Sequence, residues 1–222
     1  MSQAPEQPAT GPTDTNPSAS HPDFMSALVT EHFVLQSAAG NTISEAGARA
    51  SLYMIALSSS LVALGFAAQS PRALAPFAAA VLPAVFLLGL FTVVRLVDTG
   101  VENLQFLSAI ARVRSYYRTL GPQAPAYFGP WSGVGDDAAE ALAMLAVRRR
   151  WWVGLFTMAS MVAVVNSFVA GAGVALLVNT LGERQVALAV VCGAGFALAL
   201  LGGFYRYQDH RYRAFKPPKP PR

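Results

Sequence analysis

The sequence predicts an all-α polytopic membrane protein, with four transmembrane helices arranged as two hairpins and with amphipathic cytoplasmic helices. Mean hydropathy is +0.41 and only 13% of the residues are charged, values that are typical of membrane proteins. Four apolar runs contain no Asp, Glu, Lys or Arg. Each has about 19 residues or more, enough at about 1.5 Å per residue to cross about 30 Å of hydrocarbon. These runs are 50–68, 74–94, 151–178 and 186–204.

The positions of Lys and Arg predict the orientation. The two short connectors between paired runs hold one basic residue each, Arg72 and Arg184, and the other fourteen lie before, between or after the hairpins. Basic residues are kept on the cytoplasmic side of a membrane. We therefore expect a multi-pass protein of the cell (inner or plasma) membrane with both termini and the central segment in the cytoplasm.

The N-terminal region divides into a tail and a helix. Residues 1–23 are rich in Pro, Ser, Thr and Gln and predict a disordered tail without the apolar core of a signal peptide. Residues 24–49 predict an amphipathic cytoplasmic helix. Its apolar side chains are Leu28, Val29, Phe33 and Leu35.

A break is expected inside that segment. Gly40 and Asn41 are typical of a helix end, and Thr42 and Glu45 have the spacing of a capping box that would start a new helix into the membrane.

The first hairpin, 50–94, contains two polar or irregular features. Pro83 lies in the middle of the second run and predicts a kink, which is more often structural than a gate. The serine cluster 58–60 can bond to helix carbonyls or to a neighbouring helix.

Residues 95–150 predict a cytoplasmic helix, a loop rich in Pro and Gly at 121–135, and a short helix that starts at Asp136 and Asp137 and runs to Val147. The long helix carries an apolar stripe that needs a partner helix or a second copy of the chain. The stripe consists of Phe106, Ile110, Val113, Tyr117 and Leu120.

Six arginines of this segment are candidates for contact with a ligand or a lipid headgroup. A basic face over anionic lipid is the commoner role, and a phosphate or nucleotide is the alternative. They are Arg112, Arg114, Arg118, Arg148, Arg149 and Arg150.

The second hairpin, 151–204, carries small residues at every fourth position of both runs, which allows close helix packing. The closest contact is expected at Ser167, Gly171, Gly193 and Ala197. Asn166, at mid-membrane depth, is expected to bond to another helix in the chain or in a copy. Residues 205–222 predict a basic cytoplasmic tail.

The sequence offers little for catalysis. Cys192 is the only cysteine and the three histidines lie far apart, so neither a disulfide framework nor a metal site is expected. No nucleophile lies near an evident base, and the runs lack the charged residues that ion-coupled transporters use. We therefore expect no enzyme, no cofactor and no metal.

The stretch SEAGARASLYMIALSSSLVALGF, residues 44–66, resembles the entry into the membrane of bacterial transmembrane effectors of the Pycsar and SLATT type. That resemblance implies a helix leading into a short hairpin and membrane disruption driven by a nucleotide signal. The whole chain is similar to uncharacterised four-span membrane proteins of bacteria with high-GC genomes, which implies no activity.

These observations together predict a non-enzymatic integral membrane protein that forms a homo-oligomer and couples to a cytoplasmic protein partner or signal. The partners expected are the lipid bilayer, a second copy and a cytoplasmic protein, and no nucleic acid. The alternative is an effector or passive channel that permeabilises the membrane on a nucleotide signal.

Overall fold

The computed structural model describes residues 20–131, 137–144, 157–181 and 185–214. These ranges form helices and contain no strand. The helices are α1 Ser20–Ala67, α2 Pro71–Tyr117, α3 Ala124–Phe128, α4 Asp137–Met144, α5 Met158–Leu181 and α6 Val186–Ala214. Helices α1, α2, α5 and α6 are long and apolar enough to cross a membrane. The predicted all-α fold of a multi-pass membrane protein is confirmed.

Helices α1 and α2 form an antiparallel hairpin joined by a turn at residues 68–70. Proline suits the first position of α2 because the N–H that it lacks would have no partner inside the helix. The pairing extends along both helices, from Tyr53 beside Gly89 to Phe24 against Tyr116, whose ring centroids are 5.6 Å apart. The hairpin therefore reaches well beyond the apolar runs.

The predicted break in α1 is wrong, because the helix continues through Gly40. Thr42 does not cap a new helix, since its hydroxyl donates to the carbonyl of Ala39 at 2.7 Å. The Glu45 carboxylate instead accepts a hydrogen bond from Arg95 of α2. A glycine inside a helix costs about 1 kcal/mol, and the neighbouring α2 supplies contacts that outweigh this cost.

The second hairpin consists of α5 and α6, and α5 packs against α2. Helix α2 lies at the centre of the bundle, in contact with α1, α4, α5 and α6. The buried core joins the two hairpins. It contains Tyr53, Leu57, Val85, Val93, Leu96, Val97, Ala159, Val162, Ala163 and Phe204. Helix α6 continues to Ala214, through the first part of the predicted tail.

We call the part of the molecule beyond the apolar runs the charged end; it comprises 20–49, 95–144 and 205–214 where described. Ile110 and Val113 of the apolar stripe are buried there within a single chain. The partner of the stripe therefore comes from the same chain. The short helix α4 begins at Asp137, as the sequence indicates, whereas α3 forms inside the predicted loop.

Candidate functional site

The arginine cluster of the charged end surrounds a buried carboxylate. Glu140 of α4 is 1% exposed. Arg118 Nη1 lies 3.3 Å from Glu140 Oε2 and donates a hydrogen bond to it. Arg114 Nε lies 3.5 Å from Glu140 Oε1, and neither atom has a hydrogen-bond partner among the described residues. One carboxylate thus neutralises part of the charge of two arginines and holds α4 against α2.

The remaining contacts complete this cluster. Arg112 Nε donates to Asp137 Oδ2 at 3.5 Å, and Arg118 Nη1 also donates to the carbonyl of Phe128 at 3.3 Å. The guanidinium carbon of Arg114 lies 5.7 Å from the ring centroid of Trp131, within cation–π range.

These contacts bear on the six arginines that the sequence singled out. In the structure, Arg112 lies beside Asp137, and Arg114 and Arg118 lie beside Glu140, so carboxylates of α4 contact three of the six. The other three, Arg148 to Arg150, lie outside the described residues.

His32 of α1 lies at the edge of the cluster. Its ring contacts the Tyr117 ring at a centroid distance of 6.0 Å, and Gln36 Nε2 lies 3.1 Å from its Nε2. Burial, and then the positive charge of Arg114, lower the pKa of His32 below its ordinary value of 6.5. The neutral ring is therefore favoured in the folded chain.

A second group of charges lies where the helices leave the apolar runs. Arg95 of α2 lies 3.0 Å from Glu45 of α1 and 3.2 Å from Glu102 of its own helix. The hydrogen bonds that Glu45 accepts, chiefly from Arg95, lower the pKa of its carboxyl. Arg211 of α6 pairs with Asp98 of α2. These pairs join α1, α2 and α6 at one level of the bundle.

A hydrogen-bonded chain links three helices inside the apolar runs. Tyr53 of α1 donates its hydroxyl to Asn166 Oδ1 of α5 at 3.2 Å, and Asn166 Nδ2 donates to the Phe86 carbonyl of α2 at 3.2 Å. Gly89 makes room for this contact, since a Cβ there would collide with the Asn166 side chain. The expected bond from Asn166 to another helix is confirmed, and its partners are in the same chain.

Small residues bring α5 and α6 into backbone contact. A Cβ on Gly171 would lie 2.7 Å from the Gly193 carbonyl oxygen and 3.0 Å from Ala197 Cβ. Ser167, one turn before Gly171 on the same flank, is buried and donates to the carbonyl of Ala163. The four residues for which close packing was predicted therefore lie inside one chain, where they hold its second hairpin.

The outward face of α1, turned away from α2, carries exposed apolar side chains at the charged end: Val29, Phe33 and Ile43. Phe33 is 65% exposed and Ile43 is 58% exposed. Gly40 lies between them, and a Cβ there would meet nothing within 4 Å. The sequence predicts Val29 and Phe33 on an amphipathic helix, but only the structure shows that α2 leaves them uncovered.

Two participants were missed at the sequence level. Glu140 offered no signal, because a single carboxylate on a short helix is usually solvated. Tyr53 offered a weak one, since it is the only tyrosine in the four apolar runs. A phenol in hydrocarbon needs a hydrogen-bond partner.

Among the described residues, no three His, Cys, Asp or Glu side chains are grouped closely enough to hold a metal ion. Comparison of the chain with protein-family models, with curated proteins and with solved structures finds no match.

Proposed function

We propose that this chain is a non-enzymatic protein of the bacterial inner membrane, with both termini in the cytoplasm. It associates with copies of itself and couples a cytoplasmic partner or signal to its membrane helices. The observation that carries the proposal is the outward face of α1, an uncovered apolar surface on a helix that continues from lipid into water.

The position of this face favours self-association. Removing apolar surface from water is favourable by about 25 cal/mol for each Å² buried. Contiguous exposed apolar surface is therefore typical of interaction sites. The face continues from Phe33 and Ile43 into the apolar run, where Ile55 is 63% exposed. A partner that covers it along its length must itself pass from lipid to water, and α1 of a second copy does so.

The coupling follows from the continuity of the helices. Neither α1 nor α2 is interrupted between the apolar runs and the charged end. The ion pair of Glu45 with Arg95 joins the two helices where they leave the apolar runs, and the buried Glu140 joins the end of α2 to α4. A ligand that shifts α4 or the far end of α1 would thus shift the spans as well.

The test is the mass of the full chain in detergent by light scattering. We expect an oligomer for the parent and a monomer for the Phe33→Glu, Ile43→Glu double variant, because charge on the outward face opposes its burial. Leu120→Glu is the matched control, since Leu120 is also exposed but lies in the turn after α2, away from the outward face of α1. A monomeric parent, or an unchanged mass in the double variant, would reject self-association through this face.

A second candidate is an effector or passive channel, in which copies assembled along α1 permeabilise the membrane. It is favoured by Ser58 and Ser59, which are exposed on α1 within the apolar run and would place hydroxyl groups between copies. Liposomes containing the protein would release a trapped dye on addition of an activating cyclic nucleotide. Release that stays at the level of empty liposomes with every cyclic nucleotide would remove this candidate.

A further inference from the structure

A narrow apolar cleft of about 500 Å³ separates α2 from α5. Its α2 wall runs from Ala75 to Phe86, its α5 wall runs from Val169 to Thr180, and Phe196 of α6 closes one side. The cleft is open to the surroundings, since the wall residue Leu177 is 62% exposed. We propose that this cleft binds one acyl chain of a membrane phospholipid.

The depth of the cleft matches one leaflet. Each wall rises over eleven residue steps, or about 16 Å at about 1.5 Å per residue. The hydrocarbon core of a bilayer is about 30 Å thick, so one leaflet contributes about 15 Å. Both walls end near the connectors at 68–70 and 182–185, so the cleft occupies the leaflet farther from the charged end.

The size of the cleft suits one hydrocarbon chain. Its volume of about 500 Å³ is spread over the thickness of about one leaflet, a shape that an extended acyl chain can fill. A span of a second copy is the competing occupant, and the experiment below distinguishes the two.

The chemistry of the walls also fits an acyl chain. Ala78 and Gly173 leave a smooth floor, and a Cβ on Gly173 would meet only Leu82 Cδ1, at 3.8 Å. Among the described residues of the lining, only Thr180 has a hydroxyl, and it already donates to the carbonyl of Leu177 at 2.8 Å. The described side chains of the walls thus present no free donor for a polar ligand, and an empty cleft would forfeit the dispersion contacts that hydrocarbon supplies.

Native mass spectrometry of the delipidated full chain tests the proposal. The probe is phosphatidylglycerol with palmitoyl and oleoyl chains, titrated against the parent, Gly173→Phe and the matched control Gly195→Phe. Gly173→Phe fills the cleft, whereas the control places the same ring on α6, where a Cβ meets nothing within 4 Å. We expect one tightly held lipid in the parent and in the control, and affinity about tenfold weaker in Gly173→Phe.

Three results would overturn the proposal. The first is equal lipid affinity in the parent and in Gly173→Phe. The second is loss of binding when phosphatidylethanolamine with the same chains replaces phosphatidylglycerol, which would make this a headgroup site. The third is a protein dimer that Gly173→Phe abolishes, which would make the cleft a contact between copies. Should Gly173→Phe fail to fold, Ala79→Leu at the cleft rim repeats the comparison.

Discussion

The bond between Tyr53 and Asn166 gives the most quantitative stability prediction. Asn166→Leu preserves the approximate side-chain volume but removes both hydrogen bonds of 3.2 Å, one from Tyr53 and one to the Phe86 carbonyl. Interhelical hydrogen bonds in membranes average about 0.6 kcal/mol and reach about 1.7 kcal/mol. The Tyr53 hydroxyl, on a side chain with no exposed area, also loses its acceptor. Together these losses lower the free energy of unfolding by about 2 kcal/mol.

The assay is reversible unfolding in mixed micelles titrated with sodium dodecyl sulfate, applied to Asn166→Leu, Tyr53→Phe and the double variant. We expect Tyr53→Phe alone to cost about 0.6 kcal/mol and the two changes to couple by a similar amount. Ser60→Ala is the control, because Ser60 donates only to the Ala56 carbonyl of its own helix. Strictly additive losses, or a stabilised Asn166→Leu, would refute the reasoning and leave packing alone to hold these helices together.

Three further predictions test the other contacts. Glu140→Ala leaves two arginines without their buried carboxylate, and we expect about tenfold faster hydrogen exchange or more in α4, with no change in the spans. Gly171→Leu forces α5 and α6 apart and costs about 1 to 3 kcal/mol of unfolding free energy, whereas Gly195→Leu, in open space, leaves it unchanged. The lowered pKa of His32 gives stability that is present above pH 6.5 and is lost as the pH falls through the folded value. Stability should therefore fall as the pH drops below 6.5 in the parent but not in His32→Gln.

Each of these three predictions can be contradicted by a specific result. Unchanged exchange of α4 in Glu140→Ala would show that other contacts hold this helix. Equal losses in Gly171→Leu and Gly195→Leu would deny the close approach of α5 and α6. The pH test is separable from the carboxylates, because the lowered pKa of Glu45 places its own loss at more acid pH. A fall in stability just below pH 6.5 that survives His32→Gln would assign this pH dependence to another group.

The spans were predictable because the property that defines them is local. The composition of a run such as 186–204 is enough to predict a membrane span. The helical spacing of small residues around Gly171 and Gly193 is enough to predict close packing against another helix. The hairpin of α5 and α6 follows from these two facts. The polar side chain of Asn166 likewise predicted a hydrogen bond to another helix, but it did not indicate which helix provides the partner.

The charged end was less predictable because its interactions are distant in the chain. The residues around Gly40 predict a helix end, yet α1 continues through it, because contacts with α2, more than fifty residues away in the chain, stabilise the helix there. The apolar stripe through Ile110 and Val113 predicted a partner helix, but the sequence did not indicate whether that helix belongs to the same chain or to a second copy. The pairing of Glu140 with Arg118 depends on how α4 folds back, which no periodicity encodes.

The unbroken passage of α1 out of the bilayer has a mechanical consequence. Residues 20–49 extend about 45 Å beyond the apolar run at about 1.5 Å per residue, and they contain no hinge. A span tilts when the bilayer thins, and a rigid rod that tilts by about 10° swings its far tip by about 8 Å at that length. A tilt of the first span would thus be carried to the tip of the hairpin, about 45 Å from the apolar run.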